Sequence, residues 1–373
     1  MTVGLLPVLT DEQEMLVDAS ARFMDTASSL AAIRARSEGT GNPDRSYAAT
    51  AGDLGWFGLL ADEADGGGSV SGNGVVDAAV VAAERGARLQ PGPFAGHGVV
   101  VHTLSGAFSA ARADLLADLI TGAAWATWAF GSEATCSVRT GGDGLRLDGV
   151  IEVIADVGEC SYLLVTATGP DGLVQILLPV DGPGVTVREI DGFDVTRRWY
   201  GVDLDNVPIV PEAVIGAPGP PTDALVARQA RVAAVLTAAE AVGAMHADFE
   251  IALQYAKDRI AFGRPIGSFQ SIKHLLADTS LWLEMSKGLV AAAASALGSG
   301  APDGPELAHA AKAFVAERSV ELAHNCFQVF GGIGYTWEHD QHLFLRRLSA
   351  DAVCFGSAGW HRSQLLDAAG VAS

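Results

Sequence analysis

The spacing of apolar and polar residues changes character twice along the chain. In "LTDEQEMLVDASARFM" the apolar residues Met15, Leu16, Ala19 and Phe23 recur at helical spacing, and Thr10 with Gln13 forms a capping-box pattern at the start. More helical text follows in "RSYAATAGDLGWFGLLADE", "NGVVDAAVVAAERGARLQ" and "AARADLLADLITG", separated by loops bearing Gly or Pro. From Trp125 the segments become short, β-branched and punctuated by turns: "LRLDGVIEV", "YLLVTA", "LVQILLP", "GVTVREI" and "WYGVDLDNV". These predict a small antiparallel sheet or barrel. "GAPGPPTD" breaks the chain, Thr222 is a candidate N-cap, and three long helical stretches follow, with a fourth in "DQHLFLRRLSADAVC". A four-helix bundle is the natural way to bury their apolar faces. The expected architecture is mainly α with a middle β domain: a helical domain over 1–123, a β domain over 124–218 and a bundle over 219–373.

Composition narrows the range of partners. A chain of 373 residues with 49% hydrophobic content can build more than one core. A net charge of -20 with only 18% charged residues leaves no basic stripe, so nucleic acid and anionic membranes are not expected partners. Cys136, Cys160, Cys326 and Cys354 are scattered without a CxxC pair, which suits reduced thiols. The start of the chain has no basic region, and no apolar run is judged long enough to span a bilayer, so a cytoplasmic location is expected. His339 and His342 in "EHDQH" fit helix capping and surface polarity better than a metal pair, and no metal site is expected. Arg346 and Arg347 are expected in helix-face or interface salt bridges of small individual worth.

The stretch "NCFQVFGGIGYTWEHDQHLFLRR" is helical until Gly331, Gly332 and Gly334 interrupt it. Taken alone, two glycines can simply end a helix. Earlier, "RIAFGRPIGSFQSIKHLLAD" follows the longest helical stretch, and Pro265 forces a break near Phe262 and Gly263. Together the two segments resemble the acyl-CoA dehydrogenase family. The last domain of that family carries an Arg-x-x-Phe-Gly-x-Pro-Ile turn, a Gln shortly after it, and a Gln-x-x-Gly-Gly-x-Gly break. "LGWFGLLADEADGGG" and "ERGARLQPGPF" are similar to its N-terminal domain, so the resemblance covers nearly the whole chain. It implies a flavoenzyme fold holding FAD and acyl-CoA between the middle and last domains, with an electron-transfer flavoprotein as acceptor. It also implies that Arg259 lies against the pyrophosphate of a neighbouring subunit's FAD. Phe262, Gln270 and Gln328 would contact the same cofactor, and Gly331 and Gly332 would let backbone N–H groups approach it.

The departures from the family carry as much information. A dehydrogenase of this kind needs a carboxylate to take the α-proton. At the commoner family position, "VCFGSAGWHR" places Phe355; at the alternative position on the long helix stand Ala233 and Ala234. The flavin-facing loop and the Trp-Ile-Thr segment behind it read here "WAFGSEATCSV" and "VIADV", while Trp125 and Trp128 suit core packing. Some bacterial members, several tied to steroid side-chain degradation, are heterotetramers of unlike subunits in which one supplies base and flavin pocket and the other distal contacts. This chain resembles the second kind. Two other readings stand beside it: a self-sufficient dehydrogenase, homo-oligomeric or not, with Asp351 or Glu240 as a displaced base, and a binding scaffold that has lost the chemistry.

Overall fold

The computed structural model describes residues 2–37, 45–106, 112–142 and 144–368. Among these residues six helices come first: α1 (Asp11–Ala27), α2 (Leu30–Ser37), α3 (Arg45–Asp53), α4 (Gly74–Ala87), α5 (Phe94–Leu104) and α6 (Ala113–Ile120). The capping box forms as expected, Thr10 Oγ1 accepting from the Gln13 N–H at 3.2 Å and Gln13 Oε1 from the Thr10 N–H at 3.1 Å. The buried face of α1 differs from the one expected: it runs through Gln13, Leu16, Val17, Ser20 and Met24, and Met15 faces out. Gln13 turns inward because its amide donates to buried Asp77 at 2.7 Å.

Eight strands follow: β1 (Ala126–Ala129), β2 (Cys136–Gly141), β3 (Gly144–Ala155), β4 (Tyr162–Gly169), β5 (Gly172–Pro179), β6 (Val185–Ile190), β7 (Trp199–Ile209) and β8 (Val214–Ile215). They pair in the order β6-β7-β3-β2-β4-β5-β8, with β1 beside β4. The sheet is antiparallel except where β1 and β2 meet β4 in parallel. A separate apolar core lies under this sheet, through Leu147, Val165, Ile176 and Val202.

The C-terminal part contains α7 (Pro220–Asp258), α8 (Gln270–Ser299), α9 (Gly304–Phe330), α10 (Gln341–Asp351) and α11 (Ala358–Ala368). The first four pack as the expected bundle; α11 lies against α9 and was not anticipated. Thr222 is not the N-cap. Helix α7 starts on Gly219 with Pro220 and Pro221 in its first turn, where a missing N–H costs nothing, and Thr222 Oγ1 donates to the Ala217 carbonyl at 2.8 Å. The expectation about membrane-spanning length is also corrected: α7 is long and apolar enough by length and composition, but 94% of its most apolar window is buried inside the protein. It is the core helix. Helix α4 lies against it backbone to backbone, since a Cβ at Gly86 would fall 1.8 Å from the Glu240 carbonyl oxygen and one at Gly243 1.8 Å from that of Ala83.

Inside the bundle, Asp248 Oδ2 accepts from Gln341 Nε2 at 3.0 Å, and both residues are fully buried. Asp248 Oδ1 and Gln341 Oε1 have no other partner among the described residues. Burial pushes the Asp248 carboxyl well above the usual range, against the smaller opposing effects of Gln341 and Cys326. A proton on Oδ1 gives the pair a donor it otherwise lacks. The folded state then holds a proton that the unfolded chain releases, so stability falls as pH rises above the unfolded carboxyl value, by about 1.4 kcal/mol per pH unit until the folded group ionises. Asp248→Asn should remove that slope. Urea unfolding at a series of pH values should show the variant matching the wild type near pH 4 and exceeding it at neutral pH; parallel pH profiles would mean that Asp248 is ionised in the fold.

Candidate functional site

Two places concentrate chemistry. The first is the end of the bundle where α7 and α9 finish and α8 begins, held together by Tyr255 against Phe330 at 5.0 Å between ring centroids. Between α7 and α8 a ribbon of β9 (Ile260–Ala261) and β10 (Arg264–Pro265) turns through Phe262 and Gly263 at φ of 54° and 79°, the left-handed pair that a two-residue hairpin turn uses. A phenylalanine is costly in that conformation, yet Phe262 is 95% exposed, its ring edge-on to Phe269. Arg259 caps α7; among the described residues its guanidinium makes no hydrogen bond or ion pair. Gln270 opens α8 and Gln328 lies on the exposed side of α9. Gly331 ends α9 at φ 60°, its N–H donating to the Phe327 carbonyl, so the backbone itself calls for glycine there. Gly332 is different: it is not left-handed, and a Cβ on it would meet nothing within 4 Å. All six residues singled out in the sequence therefore gather at one exposed end, ringed by Ile260, Ile333, Tyr335 and Trp337.

The second place is a cavity of about 270 Å3 where the helical domain, the sheet and the bundle meet. Phe355 lines it, at φ 55° beside Gly356 at φ 105°. Its ring stacks on Trp128 with centroids 6.1 Å apart and planes 17° from parallel, and Phe130 meets it edge-on at 6.3 Å. The Phe355 carbonyl accepts from His361 Nε2 at 3.1 Å, and His361 Nδ1 lies 2.9 Å from His309 Nδ1. Trp128 is thus both core and cavity wall. Ala233 and Ala234 are fully buried within α7.

Beneath the cavity lies a charge network that sequence reasoning largely missed. Arg347, expected in a weak salt bridge, is completely buried. It donates to Asp194 Oδ2 at 2.9 Å, Glu240 Oε1 at 2.9 Å, Thr196 Oγ1 at 2.6 Å and the Gln90 carbonyl at 3.2 Å, so one side chain links all three regions. Arg197 bridges Glu240 at 2.7 Å and Asp351 at 2.8 Å, and Lys312 donates to the Asp351 carbonyl. Burial raises the carboxyl of Glu240, but Arg197 and Arg347 outweigh it and hold the group below its usual range. Asp351, read in sequence as a solvated carboxylate, is buried and pushed up to about 6 by that burial, partly offset by Arg197. It does not line the cavity. Asp156 does, and burial raises it too, with Arg197 opposing. Its only sequence signal was a lone acid at the end of "VIADV". Arg346, by contrast, lies over the Phe193 ring and donates to the Phe193 carbonyl at 2.8 Å. His339 accepts from the Gln341 N–H, as a cap would, whereas His342 is buried against Trp337 rather than at the surface.

Comparison with known proteins gives consistent results. Residues 10–123 match the acyl-CoA dehydrogenase N-terminal domain and residues 224–370 the acyl-CoA dehydrogenase C-terminal domain. Acyl-CoA dehydrogenase FadE34 of Mycobacterium tuberculosis is 31% identical over 383 aligned residues, which cover 98% of this chain and 49% of that protein. The chain thus spans about half the length of FadE34. Acyl-CoA dehydrogenase IpdE2 of Mycolicibacterium smegmatis is 29% identical over 93% of this chain and 96% of its own length. Among solved structures, the Tcur3481-Tcur3483 steroid ACAD variant superimposes with a TM-score of 0.85 at 27% identity, covering 97% of this chain and 99% of that one. The chain belongs to the acyl-CoA dehydrogenase family.

Proposed function

We propose that this chain is a subunit of an FAD-dependent acyl-CoA dehydrogenase that lacks the catalytic base and completes the flavin site of a second, unlike acyl-CoA dehydrogenase-like subunit. The assembly, a heterotetramer on this reading, would desaturate a fatty acyl or steroid side-chain CoA thioester and pass electrons to an electron-transfer flavoprotein. The observation that carries the reading is the contrast between the two places. At the cavity Phe355 stands where the sequence resemblance aligns the family's carboxylate, and Glu240 and Asp351 are tied to arginines. At the bundle end Arg259, without a partner among the described residues, and Gly332, whose Cβ would meet nothing within the chain, face outward.

The fit to a flavin divides the same way. Arg259, Gln270, Gln328 and the backbone at Gly332 offer donors and close approach to a pyrophosphate. At the cavity the Trp128–Phe355 stack closes one wall, and along β3 Val153, Ile154 and Ala155 offer no side-chain donor to a flavin ring. The length of FadE34, about twice the region shared with this chain, leaves room for a second unit of this size in one polypeptide, which suits a paired arrangement.

Arg259→Ala should weaken FAD binding by the co-expressed assembly by about ten- to a hundredfold, the cost of one charge-assisted contact. Gly332→Val should act by steric occlusion and leave the fold intact, because its Cβ has open space within the chain. FAD titration of the assembly would show both effects; unchanged affinity in both variants would reduce these motifs to helix punctuation. One observation favours a self-sufficient enzyme: Asp156, a cavity carboxyl held above its usual range by burial. Asp156→Asn should leave turnover of the assembly unchanged on the proposed reading, and reduce it by about two to four orders of magnitude if Asp156 is the base.

A further inference from the structure

The junction cavity has features that neither the fold nor the charge network uses. Thr237 is 2% exposed and lines the cavity, and its Oγ1 has no hydrogen-bond partner among the described residues. Arg197 also lines it; both terminal nitrogens are taken by Glu240 and Asp351, and its buried Nε is unpartnered among the described residues. Thr237 and Glu240 lie three residues apart on α7 and so share a helix face, which puts Thr237 beside the residue that holds Arg197. Two unpaired buried donors on residues that line one cavity are costly unless something accepts from them. Above them the walls are aromatic and aliphatic: Phe94, Trp128, Phe130, Ile154 and Phe355.

We infer that this cavity is a binding pocket for a neutral, largely apolar molecule of one or two rings carrying a carbonyl oxygen. The inference rests on the reading that the chain carries out no oxidation at this cavity. The donors select an acceptor atom, and a carbonyl oxygen has two lone pairs to offer. The aromatic walls select a flat apolar body. The volume of about 270 Å3 sets the size. Charge excludes an anion: the positive charge of Arg197 is already shared by Glu240 and Asp351, and Asp156 joins Glu240 in the lining. Val153 stands exposed at the rim of the cavity, which marks the way in.

The test uses Prodan, a neutral naphthyl ketone whose emission shifts to the blue when it leaves water and responds to hydrogen bonding at its carbonyl. The 373-residue chain should bind it saturably, one per chain. Thr237→Val, nearly isosteric, should weaken binding about three- to tenfold by removing one donor. Val153→Trp, at an exposed position that the fold tolerates, should abolish saturable binding by blocking the mouth. FAD and a saturated acyl-CoA should not displace the probe. No saturable binding, or binding indifferent to both substitutions, overturns the inference and leaves the proposed function standing. Displacement by FAD in the lone chain overturns both, because it places a flavin in this chain's own cavity.

Discussion

Purified alone and supplied with FAD, a saturated acyl-CoA and an artificial electron acceptor, the chain should turn over at least about two to four orders of magnitude more slowly than when assembled with its partner. That range is what positioned proton transfer contributes to an enzymatic reaction. On the proposed function the physical reason is the want of a usable acceptor for the α-proton at the cavity. Phe355 cannot take a proton, Glu240 is held ionised by two arginines that it would have to abandon, and Asp351 lies behind Arg197 rather than on the cavity wall. Asp156 lines the cavity, and on the proposed function the altered flavin-facing wall leaves it no positioned hydride acceptor to work with. Turnover by the lone chain at a rate typical of the family would remove the subunit reading and turn attention to Asp156.

The second large effect concerns the fold rather than the chemistry. Arg347→Ala should destabilise the protein by about 3 to 5 kcal/mol, because it strands Asp194 and Glu240 as buried carboxylates with a lost countercharge. Arg347→Lys should recover little, since an ammonium cannot reproduce the fork that reaches Asp194, Glu240 and Thr196 together. Its chain neighbour is the control: Arg346→Ala, at a partly exposed site over Phe193, should cost no more than about 1 kcal/mol. Chemical denaturation of the three variants decides the matter. Similar small losses at both arginines would mean that the buried network is not what joins the three regions.

The contrast between those neighbours shows what the sequence could and could not tell. Helical spacing, the capping box at Thr10 and the turn-rich β segments made the order of helices, sheet and bundle readable, because each rests on contacts a few residues apart. Strands β1 and β8 were missed because they are short and pair with the distant β4 and β5, whereas β2, which pairs with its chain neighbour β3, was read as part of a loop. At the bundle end, two motifs separated by tens of residues named the residues that the fold then gathers. The charge network left no such trace. Arg347 next to Arg346 reads as a surface pair, and only the convergence of the Leu89–Gln90 loop, the Asp194–Arg197 turn and α7 buries one and not the other. Asp156 and Arg197 were invisible for the same reason.

On the proposed function, this chain contributes distal contacts to a flavin seated in a different subunit. Flavin content measures that most directly: FAD absorbance per polypeptide, determined for the chain purified alone and for the chain co-purified with its partner, both after equilibration with excess FAD and removal of the unbound cofactor. The expected result is no retained flavin in the lone chain and about one FAD for each pair of unlike chains in the assembly. One FAD retained per chain by the protein alone would contradict it.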